Sequence, residues 1–298
     1  MQDLNWNDLR VFLEVARTGQ IGAAAKALRM DPTTLSRRLK RLEDNLERRL
    51  FERTREGQVL TEAGEALLEK AEPMGGIARQ IEDDRAPELG LSGTVRLSVS
   101  EGFGSQFLAR HMAGFAAEHP NLTLELVATS GFLSPSRREA DIAVMLSRPK
   151  AGPVIARKLS DYRLRLYASA DYLAQHGVPG SAADLAESHR LIGYVPDLLY
   201  APELNYLSDF HSGLSGQLRS SSINAQREMV AAGAGIAVLP CFMADGDARL
   251  EVVLADRSIV RSFWMVTHRD TQNLLRIKML RQWLSAVVQR HRELLLPG

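Results

Sequence analysis

The run Asp31-Pro-Thr-Thr-Leu-Ser-Arg-Arg-Leu-Lys-Arg41 constrains the chain more than any other stretch, because it combines a helix start with two opposed faces. Asp31 is a side-chain acceptor suited to an N-cap, and Pro32 fits the first helical position, where its missing N–H does no harm. Leu35, Leu39, Leu42 and Leu46 recur at the i, i+4, i+7, i+11 spacing of one buried stripe. At about 100° per residue, Thr33, Arg37, Lys40 and Arg41 fall opposite that stripe, with Thr34 and Arg38 flanking it. Arginine can grip guanine with two hydrogen bonds, threonine can meet a thymine methyl or a phosphate, and lysine brings a mobile charge to the DNA backbone. The pattern predicts a helix able to enter the major groove; the plainer alternative is a solvated amphipathic helix.

The neighbouring segments favour the first reading. Ile21-Gly-Ala-Ala-Ala-Lys-Ala-Leu28 is dense in small side chains that let a second helix cross closely, and residues 29–31 give a tight connection. Together they predict a helix-turn-helix unit over about residues 21–40. A further helix precedes it, with Leu9, Phe12, Leu13 and Ala16 on one side and Asn5 or Asn7 as its cap. Leu50–Leu60 reads as two short strands around a turn centred on Glu56-Gly57, a β wing. From it Arg53 and Arg55 would reach phosphates or the adjacent minor groove.

In this order and spacing, the alanine-rich helix, Leu35-Ser36-Arg37, Arg41-Leu42-Glu43, Arg49-Leu50-Phe51-Glu52-Arg53 and Leu60-Thr61-Glu62-Ala63-Gly64 resemble the LysR-type transcriptional regulators. Ala140-Asp-Ile-Ala-Val144 and Gly233-Ala-Gly-Ile-Ala-Val-Leu-Pro240 look like that family's effector-domain landmarks, so the resemblance covers nearly the whole chain. It adds Ser36 to the expected DNA-contacting set of Thr33, Thr34, Arg37, Arg38, Lys40, Arg41, Arg53 and Arg55. Relatives commonly carry Ser-Gln where this chain has Asp31-Pro32, and Gln where it has Arg38. Operator contacts are therefore expected to lean on Arg37, Arg38 and Arg41 rather than on an early amide side chain.

The formal net charge of +1 fits a DNA binder only when it is divided by segment. Residues 1–60 hold 12 basic and 9 acidic side chains, residues 61–90 hold 3 and 8, and residues 91–298 hold 22 and 19. Positive charge is focused, so nonspecific DNA binding should be modest and salt-sensitive. The amino terminus lacks a signal-peptide pattern and no run approaches the roughly 18 apolar residues of a membrane span. A cytoplasmic protein without membrane contact is expected. The single cysteine, Cys241, is expected to be a buried structural thiol.

The acidic segment 61–90 is expected to be a linker helix. Its seam of Ala63, Leu67, Lys70, Met74, Ile77 and Ile81 alternates steps of four and three, as in a helix that pairs with its own copy. Relatives have a long dimerising helix here; in this chain Pro73 and Gly75-Gly76 predict a kink or break near residues 72–76. From residue 91 short β-rich runs alternate with helices: Thr94–Ser100, Thr123–Val127, Asp141–Leu146, Arg163–Ala168, Leu191–Tyr194, Gly235–Leu239 and Phe263–Thr267. A terminal helix follows, with Ile277, Leu280, Leu284, Val287 and Val288 on its apolar face.

The expected fold is thus α+β and α/β in two domains: a winged helix-turn-helix over 1–60, a linker helix over 61–90 and a two-lobed α/β effector domain over 91–298. The resemblance implies lobes like those of periplasmic binding proteins, one from about 91–162 with 268–298, the other from about 163–267, with a small-molecule effector between them. Strand ends and helix starts, where free N–H groups and hydroxyls gather, nominate Ser100, Thr129, Ser130, Tyr194, Ser222 and Asn224 as effector contacts. Many relatives place an effector-binding arginine at the position of Met145, with Arg148 three residues on, which makes a carboxylate effector less secure. Met145, Phe103, Phe132 and Trp264 are candidates for an apolar wall.

The 7 histidines form no metal-spaced cluster, and no Gly-x-Ser-x-Gly elbow or phosphate-cradling glycine motif appears. No enzymatic activity, catalytic residue, metal or cofactor is expected. The expected partners are double-stranded operator DNA, a small-molecule effector, further copies of the chain as dimer or tetramer, and RNA polymerase. The alternative is a cytoplasmic or periplasmic solute-binding protein without DNA regulation, which would leave residues 1–60 unexplained.

Overall fold

A computed structural model describes residues 4–55, 57–84, 91–136 and 139–298. The chain forms two compact units, Met1–Glu88 and Leu89–Gly298. In the first, helix α1 (Trp6–Thr18) starts at Asn5, whose side chain accepts the Asn7 N–H at 2.9 Å. Helices α2 (Ile21–Ala27) and α3 (Pro32–Leu46) follow. Asp31 Oδ1 accepts the Thr33 and Thr34 N–H groups at 2.8 and 3.3 Å, satisfying donors that a helix start otherwise leaves open. Those bonds also hold the Asp31 carboxyl below its ordinary pKa. Leu9, Phe12, Val15, Ala24, Ala25, Leu35, Leu39 and Leu42 close one core, with Leu46 at its edge.

Strands β1 (Phe51–Arg53) and β2 (Gln58–Leu60) form the antiparallel wing. Glu43 accepts the Leu50 N–H at 2.7 Å, tying the exit of α3 to the hairpin. Gly57 has φ +139°, and a Cβ there would lie 2.3 Å from the Gly19 carbonyl oxygen, so glycine lets the wing close on the end of α1. Glu56 lies outside the described residues.

Helix α4 (Glu62–Asp84) runs continuously through Pro73 and Gly75-Gly76, which corrects the expected break at residues 72–76. The proline removes one N–H, but its acceptor is the carbonyl of Glu69, at an exposed position where water can take its place. The expected seam divides. Leu67 packs on the unit's core, beside Leu68 and the buried Ala71, whereas Met74 and Ile77 are 46% and 57% exposed. The Ile81 side chain lies outside the described residues.

The second unit contains strands β3 (Gly93–Ser100), β4 (Leu122–Thr129), β5 (Ile142–Met145), β6 (Val154–Ser169), β7 (Leu191–Gly193), β8 (Leu218–Arg219), β9 (Ile236–Pro240), β10 (Leu250–Val253) and β11 (Ile259–His268). Their order is β4-β3-β5-β11-β6-β9-β7-β8, with β10 also paired to β6. A π-helical segment, Phe103–Leu108, leads into α5 (Ala109–Glu118). Then come α6 (Ala170–His176), α7 (Ala182–Ser188), α8 (Tyr206–Phe210), α9 (Ile223–Ala231), α10 (Cys241–Ala244), α11 (Leu275–Arg290) and α12 (Arg292–Leu295). The parallel strands β7 and β9 are buried and apolar, β3 pairs in parallel with the half-exposed edge strand β4, and the expected face of α11 packs into the same core.

Two long strands join the lobes. Trp264–Thr267 of β11 pair with β5, while Leu164–Tyr167 of β6 pair with β9. Between these stretches the β6–β11 register slips at Phe263/Trp264: Phe263 faces Ser160 and Trp264 faces Lys158, leaving Leu159 as the extra residue of a bulge. A bulge bends and twists a strand pair, and this one sits where the lobes meet. The bulge lies within β11, a few residues before the lobe boundary expected at 267/268. β6 also extends well before the predicted Arg163, because charged Arg157, Lys158 and Asp161 interrupt its apolar pattern.

Candidate nucleic-acid interface and effector cleft

The exposed face of α3 presents Thr33, Ser36, Arg37 and Lys40, and the wing presents Arg53 and Arg55. Ser36, Lys40, Arg53 and Arg55 line one open groove of about 580 Å³ between helix and hairpin. Thr34 is half-buried and its N–H is engaged by Asp31. Arg38 and Arg41 differ from the rest of the expected set, because both turn toward Asp8 on α1. The Asp8 carboxylate, 1% exposed, accepts from Arg41 Nε at 2.7 Å and Nη2 at 2.5 Å, and from Arg38 Nη1 at 3.3 Å. The pairing raises the Arg41 pKa further. These two guanidiniums brace α3 against α1, while Arg37 and Lys40 have no ion pair among the described residues.

In the second unit Ser100 and Thr129 end the neighbouring strands β3 and β4 in register. Thr129 donates to the Gly131 carbonyl at 2.9 Å, and both Thr129 and Ser130 are exposed. Ser222 caps α9, its hydroxyl accepting the Ala225 N–H at 3.1 Å. Glu101, which no sequence pattern marks, reaches across to the start of α9. Its Oε1 accepts from Ser222 Oγ at 2.7 Å and Asn224 Nδ2 at 3.1 Å, and its Oε2 accepts the Ile223 N–H at 3.0 Å. Asn224 in turn accepts from Gln106 Nε2 at 3.1 Å, in the π-helical segment. Segments of this type recur at functional sites, and Gly104 lets this one approach β4: a Cβ there would lie 2.5 Å from the Ala128 Cβ.

Beside Glu101 a cavity of about 20 Å³ is walled by Phe103, Tyr162, Tyr194, Tyr200, Tyr206 and Phe263, with Ser100 at its edge. Tyr162 stacks on Phe263 at 4.2 Å between centroids, and Phe132 meets Tyr200 edge-on at 5.2 Å. Burial, followed by the charges of neighbouring tyrosines and Glu101, pushes the Tyr194 hydroxyl well above its ordinary pKa. Of the predicted effector contacts, the structure gathers Ser100, Tyr194, Ser222 and Asn224 around this cavity and Glu101. Met145 and Trp264 pair across β5 and β11 outside the lining, with the Arg148 guanidinium 5.7 Å from the Trp264 ring centroid. A larger pocket of about 200 Å³ lies in the second lobe, between Ile192, Leu207, Leu214, Val238 and Gln226. Cys241 is buried, which raises its thiol pKa.

Residues 6–65 match the bacterial regulatory helix-turn-helix family of LysR type, and residues 89–289 match the LysR substrate-binding domain. The Mau operon transcriptional activator of Paracoccus denitrificans is 31% identical over 84% of this chain and 85% of its own length. The regulator CrgA of Neisseria meningitidis is 29% identical over 94% of this chain and 96% of its own length. A solved CrgA structure covers 97% of this chain and 99% of its own with a TM-score of 0.59 and 28% identity. A full-length OxyR variant from Pseudomonas aeruginosa shares the fold at TM-score 0.74 and 18% identity, covering 96% of this chain and 98% of its own. These matches favour DNA regulation over the solute-binding alternative. No helix among the described residues is long and apolar enough to cross a membrane. A helix-turn-helix unit of lysR type, a substrate-binding domain of the same family and relatives named as transcriptional regulators place this chain in the LysR family of DNA-binding transcriptional regulators that respond to small molecules.

Proposed function

We propose that this regulator reads its operator mainly through Thr33, Ser36, Arg37 and Lys40 on α3, with Arg53 and Arg55 of the wing on flanking phosphates. Arg38 and Arg41, anchored by Asp8, hold the helix at a fixed angle and meet DNA only from that braced position. The observation that carries this reading is the exposed face of α3 bearing Thr33, Ser36, Arg37 and Lys40, of which Ser36 and Lys40 line one groove with the wing arginines. Dimerisation runs through the face of α4 that carries the exposed Met74 and Ile77, which would meet a second copy and pair two recognition helices on a roughly palindromic site. Dimers then pair into tetramers, RNA polymerase is contacted where the regulator activates, and the protein works in the cytoplasm.

The second unit binds rather than catalyses: effector enters between its lobes near Ser100, Tyr194, Ser222 and Asn224, and Thr129 and Ser130 border the entrance. A ligand changes DNA contacts only through a difference in affinity between two arrangements. Fluorescence anisotropy of the full chain with upstream DNA fragments tests the reading, with sedimentation giving the oligomeric state. Salt-sensitive, fragment-selective retention by a dimer or tetramer is expected; equal retention of all fragments, or none, would overturn it.

A further inference from the structure

The charge of the effector follows from three features of the cleft, taken with the regulator reading on which this inference rests. Glu101 is an anion supplied by the chain itself. It occupies the Ser222 hydroxyl, the Ile223 N–H and the Asn224 amide, the donors that a free carboxylate from an effector would otherwise use. A carboxylate offers about four lone-pair sites, and three donors leave room for one more. The adjoining cavity is lined by Ser100, Gly102 and Ile223, the neighbours of Glu101 and of its partners, rather than by Glu101 itself. Its wall is aromatic, no cationic side chain lines it, and the Glu101 charge reaches the Tyr194 and Tyr200 hydroxyls that do. Aromatic faces attract organic cations, and an enclosed site strengthens that attraction. The Tyr162 hydroxyl, 1% exposed in its residue as a whole, borders this cavity without a well-formed hydrogen bond, although the Tyr206 hydroxyl beside it weighs on its titration. With the Tyr206 O–H directed toward it, this phenol oxygen keeps a second lone pair for an incoming donor.

We propose that Glu101 sets the effector class: the cleft takes a protonated organic amine, its ammonium seated against Glu101 and the tyrosine faces, and turns carboxylates away. An ammonium head is about the size of a water molecule, and a cavity of this volume holds one such group. A larger substituent requires the lobes to part, and the strand bulge at Phe263/Trp264 lies where they join. The ammonium donates to the remaining Glu101 site and to Tyr162 Oη. A carboxylate at the same place would face the Glu101 charge, with the Ser222 hydroxyl, the Ile223 N–H and the Asn224 amide already engaged.

Thermal shift and calorimetry on the purified full chain, at matched ionic strength, test this with methylammonium, phenethylammonium, acetate and phenylacetate. The wild-type chain is expected to gain stability with an amine and none with either acid. Glu101→Gln, which keeps the side chain's size and one acceptor, should melt cooperatively and weaken the amine at least tenfold. Glu101→Ala should gain a response to acetate, which refills the vacated donors. A wild-type chain that ignores both amines, or answers phenylacetate as strongly, overturns the proposal, and this ranking stands even where a variant folds poorly. An amine response unchanged in Glu101→Gln also overturns it and makes Glu101 a plain helix cap. DNA retention by the same preparations is scored separately: its loss with amine preference intact overturns the regulator reading alone.

Discussion

The α3 helix and the cleft of the second unit are each met by a carboxylate from elsewhere in the fold, Asp8 of α1 and Glu101, and the two act in opposite ways. On α3, Asp8 draws Arg38 and Arg41 inward from 30 and 33 residues away and leaves Arg37 and Lys40 facing out. In the cleft, Glu101 engages polar groups 121 to 123 residues away, the very donors that look available at the start of α9. A polar side chain on an open face is therefore not automatically free to meet a partner. Its availability depends on a distant counter-charge, which here separates Arg38 and Arg41 from Arg37 on α3 and engages the Ser222, Ile223 and Asn224 donors in the second unit.

The division on α3 breaks most directly by substitution. Arg37→Ala should cost about 1–3 kcal/mol of operator affinity, roughly 5- to 150-fold, with an unchanged melting temperature. If titration shows Arg37→Ala binding like the wild type while Arg41→Ala abolishes selectivity, free and braced arginines have been assigned the wrong way round. Asp8→Asn should lower the stability of the first unit by about 1–2 kcal/mol in a denaturant titration, because the buried negative charge and one of its two acceptor oxygens are replaced by a neutral amide whose NH2 cannot accept from a guanidinium. Its effect on operator affinity should be smaller than that of Arg37→Ala, since the arginines lose orientation and keep their charge. Lys40→Ala should weaken binding evenly across sequences and flatten the slope of log K against log salt by about 1.

Much of the amino-terminal unit is legible in sequence because its determinants are local. The Asp31 cap, the Pro32 start and the Leu35, Leu39 and Leu42 stripe lie within a single helix, and each agrees with the others. Strands β5 and β9 are equally plain as short, largely buried apolar runs, and β3 shows through the alternation of Val95, Leu97 and Val99. The first half of β6 is hidden because one of its faces carries charge and its apolar residues do not cluster. Pro73 reads as a helix breaker only when the exposure of the Glu69 carbonyl is unknown. The partners of Asp8 and Glu101 are set by how helices pack and how lobes meet, so no window of sequence contains them. Ser222 and Asn224 are visible as helix-start residues, while the carboxylate that engages them comes from the opposite lobe.

Acid separates the two units by composition, because all 7 histidines fall in the second. The His111 ring on α5 stacks on His291 at 4.4 Å and meets Phe107 edge-on at 5.2 Å, with Nε2 buried and unpartnered. Burial lowers its pKa, and the charges of His291, Arg110 and Arg290 lower it further. Burial also lowers that of His189. A histidine whose folded pKa lies below its ordinary value of about 6.5 leaves stability untouched above that pH. As the pH falls from there toward the folded value, the unfolded chain binds a proton that the native packing resists, and stability declines. Hydrogen exchange between pH 7 and 5 should thus show protection falling in the second unit while α1–α3 hold steady, and His111→Gln should shrink that decline slightly. An equal loss in both units would place the acid sensitivity outside these histidines.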